Sequence, residues 1–325
     1  MTPHSKPKYI RFLIRIIDKS FKILNRVSRA IGGPIILYKL HSNHDGYVST
    51  RPSESQEYLR DIAILMQGPI NQNLEASVRS LKLYKSLWPK IPVIISTWDS
   101  SIPEYINVLR SEGADIVLVK EPINPGISNS NYQICSTLAG LERSEQLGSR
   151  FTLKTRVDQS INNVQSLRIL KKTFEDYGNR IVTTDFNSFL FRLFSPNDQL
   201  MFSETQKLLQ FWNASSSRVG FDDIPGPVES KFLISFLDSD GLTVEQSIQN
   251  SLKIYRDIYA FVNFEDLDLL WHKGNYRDLR SRFPQEDYPS ITSFIRNHDW
   301  MNLQSNLDMY IQDYNLIQDR LRLIN

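Results

Sequence analysis

The sequence predicts an α/β protein: an open, mostly parallel sheet flanked by helices, preceded by a basic amphipathic helix and followed by a helical C-terminal segment. Three observations carry that expectation. Short apolar runs recur between residues 62 and 184, separated by stretches of helical periodicity, which is the pattern of βαβ units joined by right-handed crossovers. Each run ends in polar residues, as strands do where they leave such a sheet at its ligand-binding edge. At 325 residues, 41% of them hydrophobic and 23% charged, the chain is long enough to bury a substantial core.

Ile62-Ala-Ile-Leu-Met66 is a continuous apolar run suited to a strand covered on both faces, and it leads into Gln67-Gly68-Pro69. Leu74, Val78, Leu81 and Trp88 follow at helical spacing until Pro89 closes the helix. A second strand over 92–97 runs into Trp98-Asp99, and a helix over 103–112 stops at Gly113. The third strand, 116–119, gives way to a Pro- and Gly-containing loop over 121–126. The third helix runs from Asn129 to Gln146, with Ile134, Leu138 and Leu141 on one face.

Residues 150–158 alternate Phe151, Leu153, Thr155 and Val157 with Thr152, Lys154, Arg156 and Asp158, and the two-residue period puts the polar set on one side of a strand. A helix over 164–177 and a strand over 180–184, ending in Asp185, complete the alternation. Residues 186–202 then mix aromatic and polar side chains, which suits either an irregular wall stacking on a ring or plain core packing. Val228-Glu229-Ser230 opens a further helix. Leu303, Leu307, Tyr310, Tyr314, Ile317 and Leu321 form a seam at 4-3-4-3-4 spacing that packs on the body.

This divides the chain into a leader and linker over 1–60, a sheet domain over 61–255 and a helical extension over 256–325. The net charge of +2 conceals an asymmetry: residues 1–40 hold nine Lys/Arg against Asp18 alone, or +8, leaving −6 on the remainder. Within the leader, Ile10, Leu13, Ile14, Ile17, Phe21, Leu24 and Val27 fall on one helical face. Such a helix either lies on an anionic membrane surface or docks on the body with its basic face solvated. Nucleic acid is not an expected partner, because no aromatic-interleaved basic motif accompanies the charge. The single cysteine, Cys135, forms no intramolecular disulfide, and no apolar run nears the roughly 18–20 residues that cross a bilayer. The expected location is the cytoplasm, at the inner face of its membrane if the leader binds there.

Lys154, Arg156 and Asp158 converge where a small molecule would sit beyond a strand end. Lys and Arg suit phosphate oxygens, and Asp suits a hard divalent cation or a sugar hydroxyl. The same run also fits a salt-bridge cluster that simply closes the strand.

Met66-Gln-Gly-Pro-Ile70, Ile95-Ser-Thr-Trp98, Asn129-Ser-Asn-Tyr-Gln133, Ser136-Thr-Leu-Ala-Gly-Leu141, Leu153-Lys-Thr-Arg-Val-Asp158, and Phe186-Asn-Ser188 ahead of Ser195-Pro-Asn-Asp198 appear in this order. With them, residues 61–237 resemble the WavE family of lipopolysaccharide-core and capsule synthesis proteins, treated as glycosyltransferases with a GT-A-like, Rossmann-like fold. The resemblance implies a nucleotide-sugar donor and a glycan or lipid-linked acceptor. It places Gln67, Gly68, Pro69, Thr97 and Asp99 near the base and ribose, Asn129, Asn131 and Gln133 near the nucleotide, and Lys154, Arg156 and Asp185 on the same edge.

Many GT-A enzymes bind Mg²⁺ or Mn²⁺ through an Asp-x-Asp motif. Here Arg156-Val-Asp158 stands in its place, so either Asp158 alone holds the metal or Arg156 and Lys154 supply part of its charge. For an inverting transfer the base candidates are Asp198, Asp222, Asp223 and Glu229; Glu229, at a helix start that holds it ionised, is favoured. His272 is a further metal-ligand candidate. Two alternatives stay open. One is a sugar-phosphate nucleotidyltransferase, although the Gly-rich loop expected after its first strand is missing. The other is a degenerate transferase that binds a glycan or scaffolds a pathway.

Overall fold

The computed structural model describes residues 57–271, 293–303 and 305–324 of the chain. Its centre is β1 (Ile62–Gln67), all six residues of which are buried. A strand this apolar is stable only between two covered faces, each fully buried Leu or Ile contributing about 1.5–3 kcal/mol. It pairs in parallel with β2 (Val93–Trp98) and with β4 (Phe151–Arg156). β3 (Asp115–Val119) extends the sheet beyond β2.

On the other side β4 is followed by β7 (Met201–Glu204), β6 (Ile181–Thr184) and β8 (Tyr259–Val262), giving the order β3-β2-β1-β4-β7-β6-β8. Only β7 runs against the others, so the sheet is mostly parallel as expected. A two-stranded antiparallel ribbon, β5 (Gln159–Ile161) with β9 (Leu269–Trp271), stands beside it.

One face of the sheet is covered by α1 (Leu74–Leu87), α2 (Pro103–Ser111) and α4 (Ser166–Tyr177). The other is covered by α3 (Ser130–Gln146) and α5 (Thr205–Ser216), and α6 (Val228–Ser239) packs on α5. Gly140 sets how closely α3 approaches: a Cβ there would stand 2.2 Å from Leu65 Cδ1. A side chain at this position would require the Leu65 side chain to move or α3 to shift off the sheet.

The polar side of β4 is not the open flank that its alternation suggests. Thr152 and Lys154 are fully buried against α3 and α5. β4 is an interior strand with helices on both faces, so its polar groups find partners inside. Ser144 and Thr152 share a hydrogen bond at 2.6 Å, and Thr152 and Thr205 one at 2.9 Å. The strand also ends at Arg156, with Asp158 in the turn that leads to β5.

Between β6 and β7, Phe186, Leu190, Phe191 and Phe194 are buried, which decides for core packing over a stacking wall. That loop is fastened to α7 (Ile248–Ile258): Phe194 N–H donates to Ser251 Oγ at 2.8 Å and Ser195 N–H to Tyr255 Oη at 2.6 Å. Phe194 is thereby held at φ +53°, a backbone conformation that bulky residues rarely adopt.

The stretch after residue 255, expected to be helical, contributes β8 and β9 before α8 (Asn297–Asn302) and α9 (Leu307–Ile324). Tyr259-Ala-Phe-Val262 is a fully buried apolar run whose strand character the helical seam downstream obscured. Leu303, Tyr310 and Ile317 of that seam are buried against the body. The basic leader and linker lie outside the described residues. Among those described, no helix is long and apolar enough to cross a membrane.

Candidate active site

The connections through α1 and α2 carry the chain outward from β1 to β3, and α3 then returns it to β4 on the far side of β1. Strand order therefore reverses between β1 and β4, and the crevice beyond their carboxyl ends is where open α/β sheets bind ligands. Two named residues border it: Gln67 and Arg156 are register partners at the ends of these strands. Val157 N–H donates to Gln67 O at 3.1 Å, and Gly68 N–H to Ser96 O at 3.1 Å. Gly68 takes φ +127° with Val157 Cγ2 only 3.2 Å from where a Cβ would be, so a side chain there would be strained and crowded.

Arg156 and Asp158 form a two-point ion pair, Nε to Oδ1 at 2.7 Å and Nη2 to Oδ2 at 3.0 Å. The indole N–H of Trp271 adds a second donor to Oδ2 at 3.0 Å. Burial works against the Asp158 carboxylate, yet Arg156 and the Trp271 N–H together outweigh it and hold the group below the usual carboxylate range. The rest of the turn is braced by Gln159, whose Nε2 donates to Gln199 Oε1 at 2.9 Å.

One turn of the pleat earlier, the Lys154 ammonium donates to the Asp198 carbonyl and sits 4.8 Å from the Trp212 ring centre. Burial brings its pKa down to about 8, the nearby Asp198 charge opposing. Asp198 Oδ2 is itself buried and has no hydrogen-bond partner among the described residues.

Glu229 lies in the first turn of α6. A helix N-terminus favours the charged form, but burial is the larger effect here and the Asp198 carboxylate adds to it, raising the Glu229 pKa to about 7. The expectation that the helix start holds Glu229 ionised is thus corrected: desolvation and a second carboxylate win. Arg192, stacked 4.0 Å over the Phe189 ring, pulls the other way. Asp198 acts electrostatically on Lys154, Arg156 and Glu229 alike, which makes the β4 exit and the α6 start one charged centre.

The profile of the WavE lipopolysaccharide synthesis family matches residues 62–283, more than half of the chain. The chain belongs to the WavE family. As a WavE member it is a protein of lipopolysaccharide synthesis, and its mostly parallel sheet flanked by helices is the architecture the sequence led us to expect. No curated protein matches it.

Among solved structures it is similar to the galactosyltransferase LgtC bound to donor and acceptor sugar analogues, at 12% identity over 67% of this chain and 91% of that one, TM-score 0.39. Core-mannan synthase A of Aspergillus fumigatus in its Mn/GDP form matches at 10% identity over 66% and 76%, TM-score 0.35. A cytidylyltransferase of Leptospira borgpetersenii matches at 12% identity over 81% and 96%, TM-score 0.36. Likenesses this distant assign no ligand to the WavE chain.

Of the other residues singled out in the WavE sequence, Pro69, Asp99 and Asn129 are exposed and Asn131 is half-buried with its amide on Asn124 O at 3.1 Å. Gln67 is buried, its Oε1 accepting from Ser136 Oγ at 2.9 Å, and Gln133 Oε1 is buried with no partner among the described residues. Thr97 is fully buried, its hydroxyl on Ser101 at 3.3 Å. Asp185 sits on the ligand edge of the sheet but serves as an anchor. It accepts from Phe264 N–H at 2.7 Å and pairs with Arg296 at 2.9 Å, and burial raises its pKa to about 7 against the pull of that arginine.

Asp222 and Asp223 are exposed in a short 3₁₀ turn, where Asp222 helps to line a cleft of about 330 Å³ with Asn131, Cys135 and Arg218. His272 lies outside the described residues. Trp271, Arg192 and Gln199 were missed. Trp271 was legible only as an aromatic beyond the family-like segments, and nothing in a sequence signals that a distant indole closes on a carboxylate.

The donor set at Asp158 does not fit a divalent cation. Both of its oxygens are held by Arg156 and one also by Trp271. Mg²⁺ takes its ligands from one or two carboxylates together with waters and substrate phosphates, and a guanidinium already paired with both Asp158 oxygens repels a cation brought there.

Proposed function

We propose that this chain transfers a sugar from a nucleotide-sugar donor, held in the crevice between β1 and β4, to a hydroxyl of a glycan or lipid-linked acceptor in lipopolysaccharide or capsule assembly. The observation that carries the reading is the position of Asp198, whose charge is felt both by Lys154 and Arg156 at the β4 exit and by Glu229 at the α6 start. Cations for a departing diphosphate and a base for an incoming hydroxyl thus stand in one centre. In a single displacement the sugar C1–O bond to the diphosphate breaks as the acceptor oxygen bonds C1, and the hydroxyl proton passes to Glu229. A carboxyl whose pKa lies near 7 is matched to that task at neutral pH. Gln67, Gly68 and Pro69 border the crevice where the donor base and ribose would lie, and Asn129, Asn131 and Gln133 flank it from the start of α3.

The acceptor hydroxyl is neutral and a poor nucleophile until its proton is removed, and the charge that develops on the leaving diphosphate must be met by fixed positive groups. Arg156 is positioned for this at the end of a rigid interior strand rather than on a loop, and the buried Lys154 adds positive potential from behind it. The site belongs on the cytoplasmic side, where nucleotide sugars are made, with the basic leader as the means of reaching lipid-linked acceptors.

The test is a thermal-shift screen of UDP-, GDP-, CMP- and dTDP-sugars against the full chain. Ligand at 100 times its dissociation constant stabilises the native state by about 2.7 kcal/mol. A shift with one nucleotide family and release of that nucleotide on adding acceptor is the expected result; no shift with any donor overturns the reading.

A further inference from the structure

We propose that this chain binds the diphosphate of its donor without a divalent cation, and that Arg156 is the fixed positive charge that receives it. The inference rests on the transferase reading above and specifies how its donor is held.

The first support is position. Arg156 ends β4 opposite Gln67 at the point where strand order reverses, so it borders the crevice in which a ligand's anionic part meets the sheet. The second is the state of Asp158. Its carboxylate is 4% exposed and accepts three hydrogen bonds, two from Arg156 and one from Trp271. A cation placed on Asp158 must break the Arg156 contacts and then sit beside a displaced guanidinium of like charge. The third is what Arg156 has left to offer. Asp158 takes two of its five N–H groups. No other hydrogen-bond acceptor for it occurs among the described residues, and its side chain is 20% exposed rather than sealed.

A planar guanidinium fixed along one edge presents its other edge to two oxygens at once, the geometry that suits phosphate. Asp158 and Trp271 then act as positioning residues: they hold the fork still and face its unused N–H groups outward. Trp271 also stands beside the fork, its ring centre 6.0 Å from the guanidinium carbon. Lys154, buried one pleat behind, touches no ligand and adds positive potential from the interior.

The experiment is calorimetric titration of the full chain with UDP, GDP, CDP, dTDP and CMP, each in EDTA and again in Mn²⁺, on wild type, Arg156→Lys, Arg156→Gln and Asp158→Asn. Far-UV circular dichroism and the melting temperature confirm that each variant is folded. The expected result is a nucleotide whose affinity is the same in EDTA and in Mn²⁺ and falls about 10- to 100-fold in Arg156→Gln, the loss of one or two charge-assisted hydrogen bonds. Arg156→Lys, which keeps the charge and loses the fork, falls between the two and keeps the measurement meaningful if Arg156→Gln does not fold. Binding at least about tenfold tighter in Mn²⁺ than in EDTA, with that gain lost in Asp158→Asn, overturns the inference and leaves the transferase reading standing. Binding equal in wild type and both Arg156 variants also overturns it. No binding of any nucleotide under either condition removes the transferase reading and this inference together.

Discussion

Trp271 donates its indole N–H to Asp158 Oδ2 at 3.0 Å, across 113 positions of sequence. The bond ties the two-stranded ribbon to the charged end of β4. In Trp271→Phe the ring stays and the donor goes. The expected loss is about 1.5–3 kcal/mol of stability, the range for a hydrogen bond to a charged group, read from urea unfolding. Nucleotide affinity falls with it, because Asp158, which holds Arg156, loses one of the donors that fix it. Unchanged stability and affinity would show that the bond is incidental.

Glu229 carries the acid–base prediction. With its pKa near 7, kcat/KM rises with pH through about 7 as the carboxylate becomes free to accept a proton. Glu229→Gln removes that rising limb and lowers kcat by roughly 100- to 10,000-fold, while leaving nucleotide binding in place. A Gln variant that keeps both rate and pH profile would move the role to Asp198.

The same group shapes stability. Folding raises the Glu229 pKa from its ordinary 4.5 to about 7, so the native state holds more protons than the unfolded one between those values. Stability therefore falls as pH climbs from about 4.5 to about 7 and is level beyond. Asp185, raised from 3.8 to about 7, acts in the same direction. Denaturant midpoints at pH 5 and pH 8 test this: wild type is more stable at pH 5 relative to pH 8 than either Glu229→Gln or Asp185→Asn.

Gly140→Ala is predicted to destabilise although alanine is the better helix former. Its Cβ meets Leu65 Cδ1 at 2.2 Å in the middle of the covered sheet, and overpacking of that kind costs about 1–3 kcal/mol. A melting temperature at or above wild type would mean that α3 can shift outward freely.

Removal of residues 1–30 tests the amphipathic leader. Eight of its Lys/Arg residues go with it, and each contributes about 1 kcal/mol near an anionic surface. Sedimentation with phosphatidylserine-containing vesicles is expected to drop sharply while the melting temperature of the remainder holds; equal sedimentation would reject the membrane role.

The parallel half of the fold was legible because each of its strands is a local apolar run bounded by punctuation: Ile62–Gln67 before Gly68, and Asp115–Val119 after Gly113. β7 and β8 were not. Met201–Glu204 is four residues long and follows a loop whose composition resembles it, so only pairing with β4 and β6 makes it a strand. At the site, Arg156 and Asp158 could be named from residue type and spacing, and Asp198 and Glu229 only through the family resemblance. Which of them face a ligand could not, since alternation tells one side of β4 from the other but not that α3 and α5 cover the side holding Lys154. Asp185 shows the same limit. A carboxylate at a strand exit reads as a ligand group until Arg296 and Phe264 are seen to take it.

The dependence of Asp158 on Trp271 also orders events during synthesis. Polypeptide emerges from the ribosome at about 5–20 residues per second, and earlier segments fold first. β1 to β4 can thus assemble while the indole that completes the carboxylate's partners is still 113 residues from being made. Until then the Asp158 carboxylate has its Arg156 partner but lacks the indole donor. A nascent chain, or one cut short before β9, would have most of its sheet and an Arg156–Asp158 pair still without its indole donor.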